Sequence, residues 1–270
     1  MAHDSDHGAQ APVWTRLRFE AAAGAAEEPT LASYLNASIL SHDRLQDALS
    51  YHLAQKLGGP EMNALQIREI CEDAYDAAPE LSVAAERDMQ AVMDRDPACR
   101  SLLQPFLYFK GFQALQTHRI AHFLWREGRE TLAFHFQSRA AELFQVDIHP
   151  AATIGSGTML DHATGIVIGE TTEMGDNCSI MQGVTLGGTG KVVGDRHPKI
   201  GNGVLISVGA KVLGNIRVGD RAKIAAGSVV LQTVEEDCTV AGVPAVPVGK
   251  CAKAAKNMDQ SIPAGHGDSI

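Results

Sequence analysis

Two of the eleven histidines sit in settings that suit chemistry. His162 lies in Leu160-Asp161-His162-Ala163, and His197 lies in Asp195-Arg196-His197-Pro198. Imidazole changes charge near neutral pH, so it is the first candidate for a general base. Each of the two follows a charged residue, and Asp147 precedes His162 by fifteen residues. A carboxylate beside an imidazole orients the ring and stabilises its protonated form, as the acid of a Ser-His-Asp arrangement does. Two other readings remain open from spacing alone. A histidine at a turn can simply hydrogen-bond to backbone. His149, His162 and His197 could also gather around zinc, but Pro150 fixes His149 in a turn and no second ligand stands at metal-typical spacing, so no metal is expected. Arg196 reads either as a bidentate carboxylate clamp or as an ordinary loop arginine. Asp96 before Pro97 reads as a helix N-cap with proline at the first helical position.

The element that must position these residues is a six-residue beat. A small or aliphatic residue recurs at Ile148, Ile154, Leu160, Ile166, Thr172, Cys178 and Val184, then at Ile200, Ile206, Val212, Val218, Ile224 and Val230. Neither a helix nor an alternating strand has this period, and an antiparallel sandwich would show hairpin turns and alternation. It is the signature of a parallel β-helix, in which the recurring side chain points inward and stacks on its equivalent in the next coil. Three six-residue faces make one coil, so Asp147 is expected close beneath His162. Small or β-branched residues (Ala152, Thr158, Thr164, Ala210, Ala222, Ser228) fit a crowded triangular cross-section. The polar, glycine-rich loop 187–199 interrupts the beat and carries Arg196 and His197, which it is expected to bring towards Asp161 and His162.

Before the β-helix the period is 3.6. Apolar stripes predict helices over 31–57, 61–78, 80–95, 111–126 and 130–144. The fold class is therefore α+β: a disordered extension over 1–29, an all-α region over 30–145, a β-helix over 146–249, and a flexible tail over 250–270. A net charge of −9 argues against nucleic acid as a partner. No apolar run is long enough to span a membrane. The amino terminus has no basic start or apolar core, so a cytoplasmic location is expected. Cys71, Cys99, Cys178, Cys238 and Cys251 are scattered without a CxxC pair and suggest neither a disulfide framework nor a zinc ribbon. Lys211, Arg217, Arg221, Lys223, Lys250, Lys253 and Lys256 gather late, either as a solvated face or as a strip suited to a phosphorylated ligand.

These segments, in this order, resemble the serine acetyltransferases of bacterial cysteine biosynthesis. The likeness runs from Gln66-Ile-Arg-Glu-Ile through Arg95-Asp-Pro-Ala, Tyr108-Phe-Lys-Gly-Phe and Leu160-Asp-His-Ala-Thr-Gly to Gly194-Asp-Arg-His-Pro-Lys and Ala241-Gly-Val-Pro-Ala. It implies a left-handed β-helix, against the usual right-handed crossover, and a hexamer built as a dimer of trimers. It also implies acetyl transfer from acetyl-CoA to the hydroxyl of L-serine, with L-cysteine as an inhibitor at the serine site. By matching position, His162 would be the base and Asp147 its orienting partner. His197 and Arg196 would meet the substrate carboxylate, and Asp96 and Asp161 its ammonium group. Gly188, Thr189, Gly209, Lys223 and Ala226 would line an acetyl-CoA groove between neighbouring β-helices. The family often has Gly-Ala where this chain has Ser207-Val208, which implies a slightly narrower groove. Ile270 matches the terminal residue of a docking peptide for O-acetylserine sulfhydrylase. Other acceptors, such as a sugar or homoserine, and a metal-dependent hydratase of the same fold are the alternatives.

Overall fold

The computed structural model describes residues 11–190, 193–249 and 251. A helical region comes first: α1 Val13–Glu27, α2 Ala32–Leu35, α3 Leu45–Leu57, α4 Ala64–Ala77, α5 Glu80–Arg95, α6 Lys110–Arg126 and α7 Glu130–Phe144. Helix α1 corrects the expectation of a disordered extension. Its alanines are strong helix formers, and Leu17 and Ala21, one turn apart, are fully buried. The Glu20 carboxylate accepts from the N–H groups of Leu102 and Leu103 at 2.7 and 3.3 Å, which fastens α1 to the rest. The single helix expected over 31–57 is divided, because a π-helical turn at Asn36–Leu40 ends the first part and Arg44 is extended before α3. Helix α4 starts later than expected, where Asn63 and Gln66 form a reciprocal capping box.

Helix α6 is the spine. Most of its residues are buried, and its first turn lies directly on the β-helix: a Cβ at Gly111 would stand 1.9 Å from the Leu160 carbonyl oxygen. No larger residue permits that approach.

The remainder is a parallel β-solenoid of about five turns. One face stacks β1 (Val146–Ile148), β4 (Ile166–Ile168), β7 (Thr185–Gly187), β10 (Lys211–Leu213) and β13 (Val229–Val230). A second stacks β2 (Thr153–Ile154), β5 (Glu173–Met174), β8 (Lys199–Ile200) and β11 (Arg217–Val218). The third stacks β3 (Met159–Asp161), β6 (Ser179–Met181), β9 (Leu205–Ile206), β12 (Lys223–Ile224) and β14 (Thr239–Gly242), and is closed by antiparallel β15 (Ala245–Pro247). That last reversal brings Cys251 back to Cys238, and the two form a disulfide. This corrects the cysteine reading: the pair is made by the closing hairpin and has no sequence spacing to announce it.

The register refines the beat. Ile206 pairs with Ile224 and Val212 with Val230, eighteen residues apart, but Ile148 pairs with Ile168 and Leu160 with Ile180, twenty apart. Ile168 then pairs with Leu186 at eighteen, so the surplus of two lies in the corner between Leu160 and Ile168. Ile166, Thr172, Cys178 and Val184 are buried as expected, but in a second inward column: Ile166 pairs with Val146 rather than with Ile148. Thr164 consequently leaves the interior, is exposed, and accepts a 2.5 Å hydrogen bond from Lys110.

Candidate active site

The long corner displays His162. Both His162 and Ala163 adopt left-handed backbone, at φ 54° and 60°, a conformation that ordinary residues seldom hold. It is pinned by Thr164 N–H donating to the His162 carbonyl (2.8 Å) and Gly165 N–H to the Gln145 carbonyl (2.8 Å). Ala163 fills the corner, fully buried, so the imidazole is pushed outward with its side chain 72% exposed. Nε2 of His162 faces Oδ1 of Asp161 at 3.8 Å.

Asp161 and His162 border a cleft of about 540 Å³ between the solenoid and the helices, which Asp96, Gln104, Tyr108 and Lys110 also line. Burial pushes the Asp161 carboxyl above its ordinary range; His162 opposes this and Asp96 adds to it. The two carboxylates therefore act on each other across the cleft. Asp96 does not open a helix, which corrects the N-cap reading. It ends α5 in extended backbone, with Oδ1 accepting from Ala98 N–H at 2.8 Å, and its other carboxylate oxygen makes no hydrogen bond among the described residues. Arg95 anchors this end of α5 by donating to the Cys178 carbonyl (3.0 Å) and Ser179 Oγ (3.1 Å).

Asp147 lies on β1 in the coil beneath, two residues past the Gln145 carbonyl that holds the corner. Its Oδ1 accepts from Gln137 Nε2 at 2.6 Å. The structure thus places Asp161, not Asp147, within ion-pair distance of His162.

Above His162 the same vertex of the prism is bare. Gly165, Gly183, Gly209 and Gly227 all have positive φ and stack coil upon coil. Gly183 N–H donates to Thr164 (2.8 Å), Gly209 to Gln182 (2.9 Å) and Gly227 to Val208 (2.8 Å). A Cβ at Gly209 or Gly227 would meet nothing within 4 Å, and the neighbouring Ala226 is exposed. With coils spaced as strands in a sheet, this edge runs roughly 15 Å from His162 to Ala226. Lys223 lies half-buried on the adjoining face. Ser207 is buried, so of the Ser207-Val208 pair only half-buried Val208 borders the edge.

Arg196 and His197 occupy a different vertex. Residues 193–199 fold over the corner at 169–172, where His197 is 6% exposed and Arg196 Nη2 donates to Glu170 Oε2 at 2.6 Å. Glycine at 169 is required, because a Cβ there would lie 2.1 Å from Cδ2 and Nε2 of the His197 ring. Burial, and next the Arg196 guanidinium, hold the His197 pKa below its ordinary value, and the hydrogen bond from Arg196 lowers that of Glu170. Gly188 lies against Arg196, and the Thr189 methyl against Gly214. Within one chain the insert therefore does not bring Arg196 and His197 to His162, which corrects that expectation: β4 separates the two vertices. His149 stacks edge-on with Trp125 at 5.2 Å, and among the described residues no group of three His, Cys, Asp or Glu is placed to hold a metal.

Residues 13–117 match the family model "serine acetyltransferase, N-terminal", and residues 197–232 match the bacterial transferase hexapeptide model. A serine acetyltransferase of Salmonella typhimurium is 57% identical over 92% of this chain and 90% of its own length. The chain belongs to the serine acetyltransferase family. The hexapeptide repeats make the solenoid a left-handed β-helix. Among solved family members, the Neisseria gonorrhoeae enzyme in complex with serine has TM-score 0.85 and 53% identity, covering 88% of this chain and 97% of that one. The Brucella abortus enzyme in complex with coenzyme A has TM-score 0.87 and 51% identity, covering 89% and 96%. A serine acetyltransferase complexed with cysteine has TM-score 0.87 and 54% identity, covering 89% and 95%.

The residues that sequence reasoning missed are those behind the family motifs. Asp88 and Arg119 form a buried pair between α5 and α6, and Thr171 holds His197. An acid and a base on the buried stripes of α5 and α6 were the available signal for the pair. Thr171 had none, because its partner comes from the insert.

Proposed function

We infer that this chain is a serine O-acetyltransferase, transferring acetyl from acetyl-CoA to the hydroxyl of L-serine. The observation that carries the reading is the placement of His162: an outward-pointing imidazole between an acidic cleft and a bare glycine edge. His162 takes the hydroxyl proton as the serine oxygen attacks the thioester carbonyl, and returns it to the sulfur of the departing coenzyme. Asp161 orients the ring, joined by Asp147 when its hydrogen bond to Gln137 is exchanged for one to the imidazole.

Asp96 and Asp161 take the substrate ammonium; Arg196 and His197 take its carboxylate. Coenzyme A lies along Gly209, Lys223 and Ala226, with Gly188 and Thr189 on the facing side. The two half-sites stand on two vertices of one prism, so the working site forms where one copy's first vertex meets another's second. This is the arrangement of a trimer, paired into a hexamer. L-Cysteine presents the same ammonium and carboxylate with a thiol in place of the hydroxyl, and is the feedback inhibitor.

The purified chain should release thiol from acetyl-CoA on addition of L-serine, with no comparable rate for homoserine or a sugar. Cysteine should compete with serine. No release above background sinks the reading, and a faster rate with another acceptor redirects it. Ile270 lies outside the described residues; as the end of a docking peptide it should be needed for co-elution with O-acetylserine sulfhydrylase and not for acetyl transfer. Unchanged co-elution without Ile270 would remove that role.

A further inference from the structure

Thr171 makes more contacts with the insert than its small side chain would suggest. Its Oγ accepts from the backbone N–H of Arg196 (3.0 Å) and of His197 (3.1 Å) and lies 2.9 Å from Nδ1 of His197. Its own backbone N–H points at the same Nδ1, at 3.2 Å. A backbone N–H can only donate, so Nδ1 must offer its lone pair. The hydroxyl proton has two acceptors within reach, Nδ1 and the Asp195 carboxylate, so it is the backbone N–H that fixes the direction at Nδ1.

We infer that Thr171 is a positioning residue that holds His197 as the Nε2–H tautomer, so that this ring meets substrate as a hydrogen-bond donor and not as a second base. None of the hydrogen bonds of His197 among the described residues uses Nε2. The ring lies against Gly169, whose missing side chain leaves room for its Nε2 edge. Burial and the adjacent Arg196 guanidinium both favour the uncharged ring, for which the choice of tautomer decides what the ring can do. A neutral donor beside Arg196 suits a carboxylate; the opposite tautomer would present a lone pair to it and repel it. The division of labour follows: His162 is the proton acceptor and His197 a donor, although sequence alone gives both as candidates for catalysis. The inference rests on the serine-acetyltransferase reading for the identity of the carboxylate, but the tautomer itself does not.

The test has a spectroscopic arm and a kinetic arm. In protein labelled with ¹⁵N-histidine and free of substrate, the His197 ring, assigned by its loss in His197→Asn, should show unprotonated Nδ1 and protonated Nε2. Protonated Nδ1 overturns the proposal whether or not the chain acetylates serine. Thr171→Val keeps the shape and removes the hydroxyl; serine KM should rise about tenfold, with kcat changing less than about threefold. Thr171→Ser should restore the wild-type KM. A Val variant with the KM of the parent, or a Ser variant as impaired as Val, overturns the role of the hydroxyl. Absence of acetyl transfer in the parent would instead overturn the proposed function and leave the spectrum to decide the tautomer.

Discussion

Replacing His162 with Ala is expected to lower kcat for acetyl transfer by about 10² to 10⁴, the usual contribution of a positioned general base. Serine KM and thermal stability should change little. The side chain is 72% exposed, and its one ion-pair partner among the described residues is Asp161 at 3.8 Å, so truncation removes almost no packing. Of the groups assigned to ammonium and carboxylate, Asp96, Arg196 and His197 lie apart from the ring, and Asp161 keeps its place at the end of β3, so serine binding is retained. A fall in kcat of less than tenfold would remove His162 as the base. The same variant tests the site between copies. Chains carrying His162→Ala and chains carrying His197→Ala have their lesions on different vertices, so unfolding and reassembling the two together should regenerate sites with neither lesion and recover part of the parent activity. No recovery in verified mixed assemblies would place both histidines in one chain's site. Asp147→Asn distinguishes the two carboxylates: a kcat fall of tenfold or more keeps Asp147 as an orienting partner, and a parent-like rate assigns that role to Asp161.

The places where sequence and structure part company are those where a local rule gave way to a long-range contact. The inward beat was legible because each hexapeptide face repeats the same packing problem, and Ile148 to Val230 are buried throughout. The two-residue surplus at His162 was not, because Ile166 still falls six residues after Leu160 and is still buried, only in the other column. Helix α1 was hidden by composition: alanine and glutamate read alike in a solvated coil and in a helix that docks through Leu17 and Ala21. Asp96 shows the reverse case. Asp-Pro opens helices often enough to be a sound local reading, yet here it follows α5, and its Asx turn to Ala98 leaves one oxygen facing the cleft. His162 and His197 were both found from their neighbours in sequence, but their separation onto two vertices depends on where the insert returns, which spacing does not encode.

Replacing Asp88 with Ala should cost about 3–5 kcal/mol, because it leaves the Arg119 guanidinium buried without its counter-ion. Asp88 is fully buried and Arg119 is 8% exposed. Burial pushes the Asp88 carboxyl up, and Arg119, Gln116 and the Thr158 N–H act against it. Arg119 Nε and Gln116 Nε2 both donate to Oδ2 at 2.9 Å, and Arg119 Nη2 and Thr158 N–H donate to Oδ1 at 3.1 and 2.9 Å. Arg119 donates in turn to the carbonyls of Ile154 (3.1 Å) and Gly155 (2.9 Å). The pair thus ties α5 and α6 to the first coil of the solenoid. Asp96 stands eight residues beyond Asp88 at the end of α5, roughly 12 Å along the axis, so loosening this tie moves it relative to Asp161. The expected signature is a fall in the thermal midpoint of roughly 10 °C, with a rise in serine KM where the variant is still folded. Asp88→Leu with Arg119→Met separates charge from packing. An apolar pair of similar volume should recover part of the midpoint, yet it leaves the Ile154 and Gly155 carbonyls and the Thr158 N–H without partners, so serine KM should stay raised. A double variant with the parent's KM would show that the helices hold Asp96 by shape alone; an Asp88→Ala midpoint equal to the parent's would show that the buried pair contributes nothing to the tie.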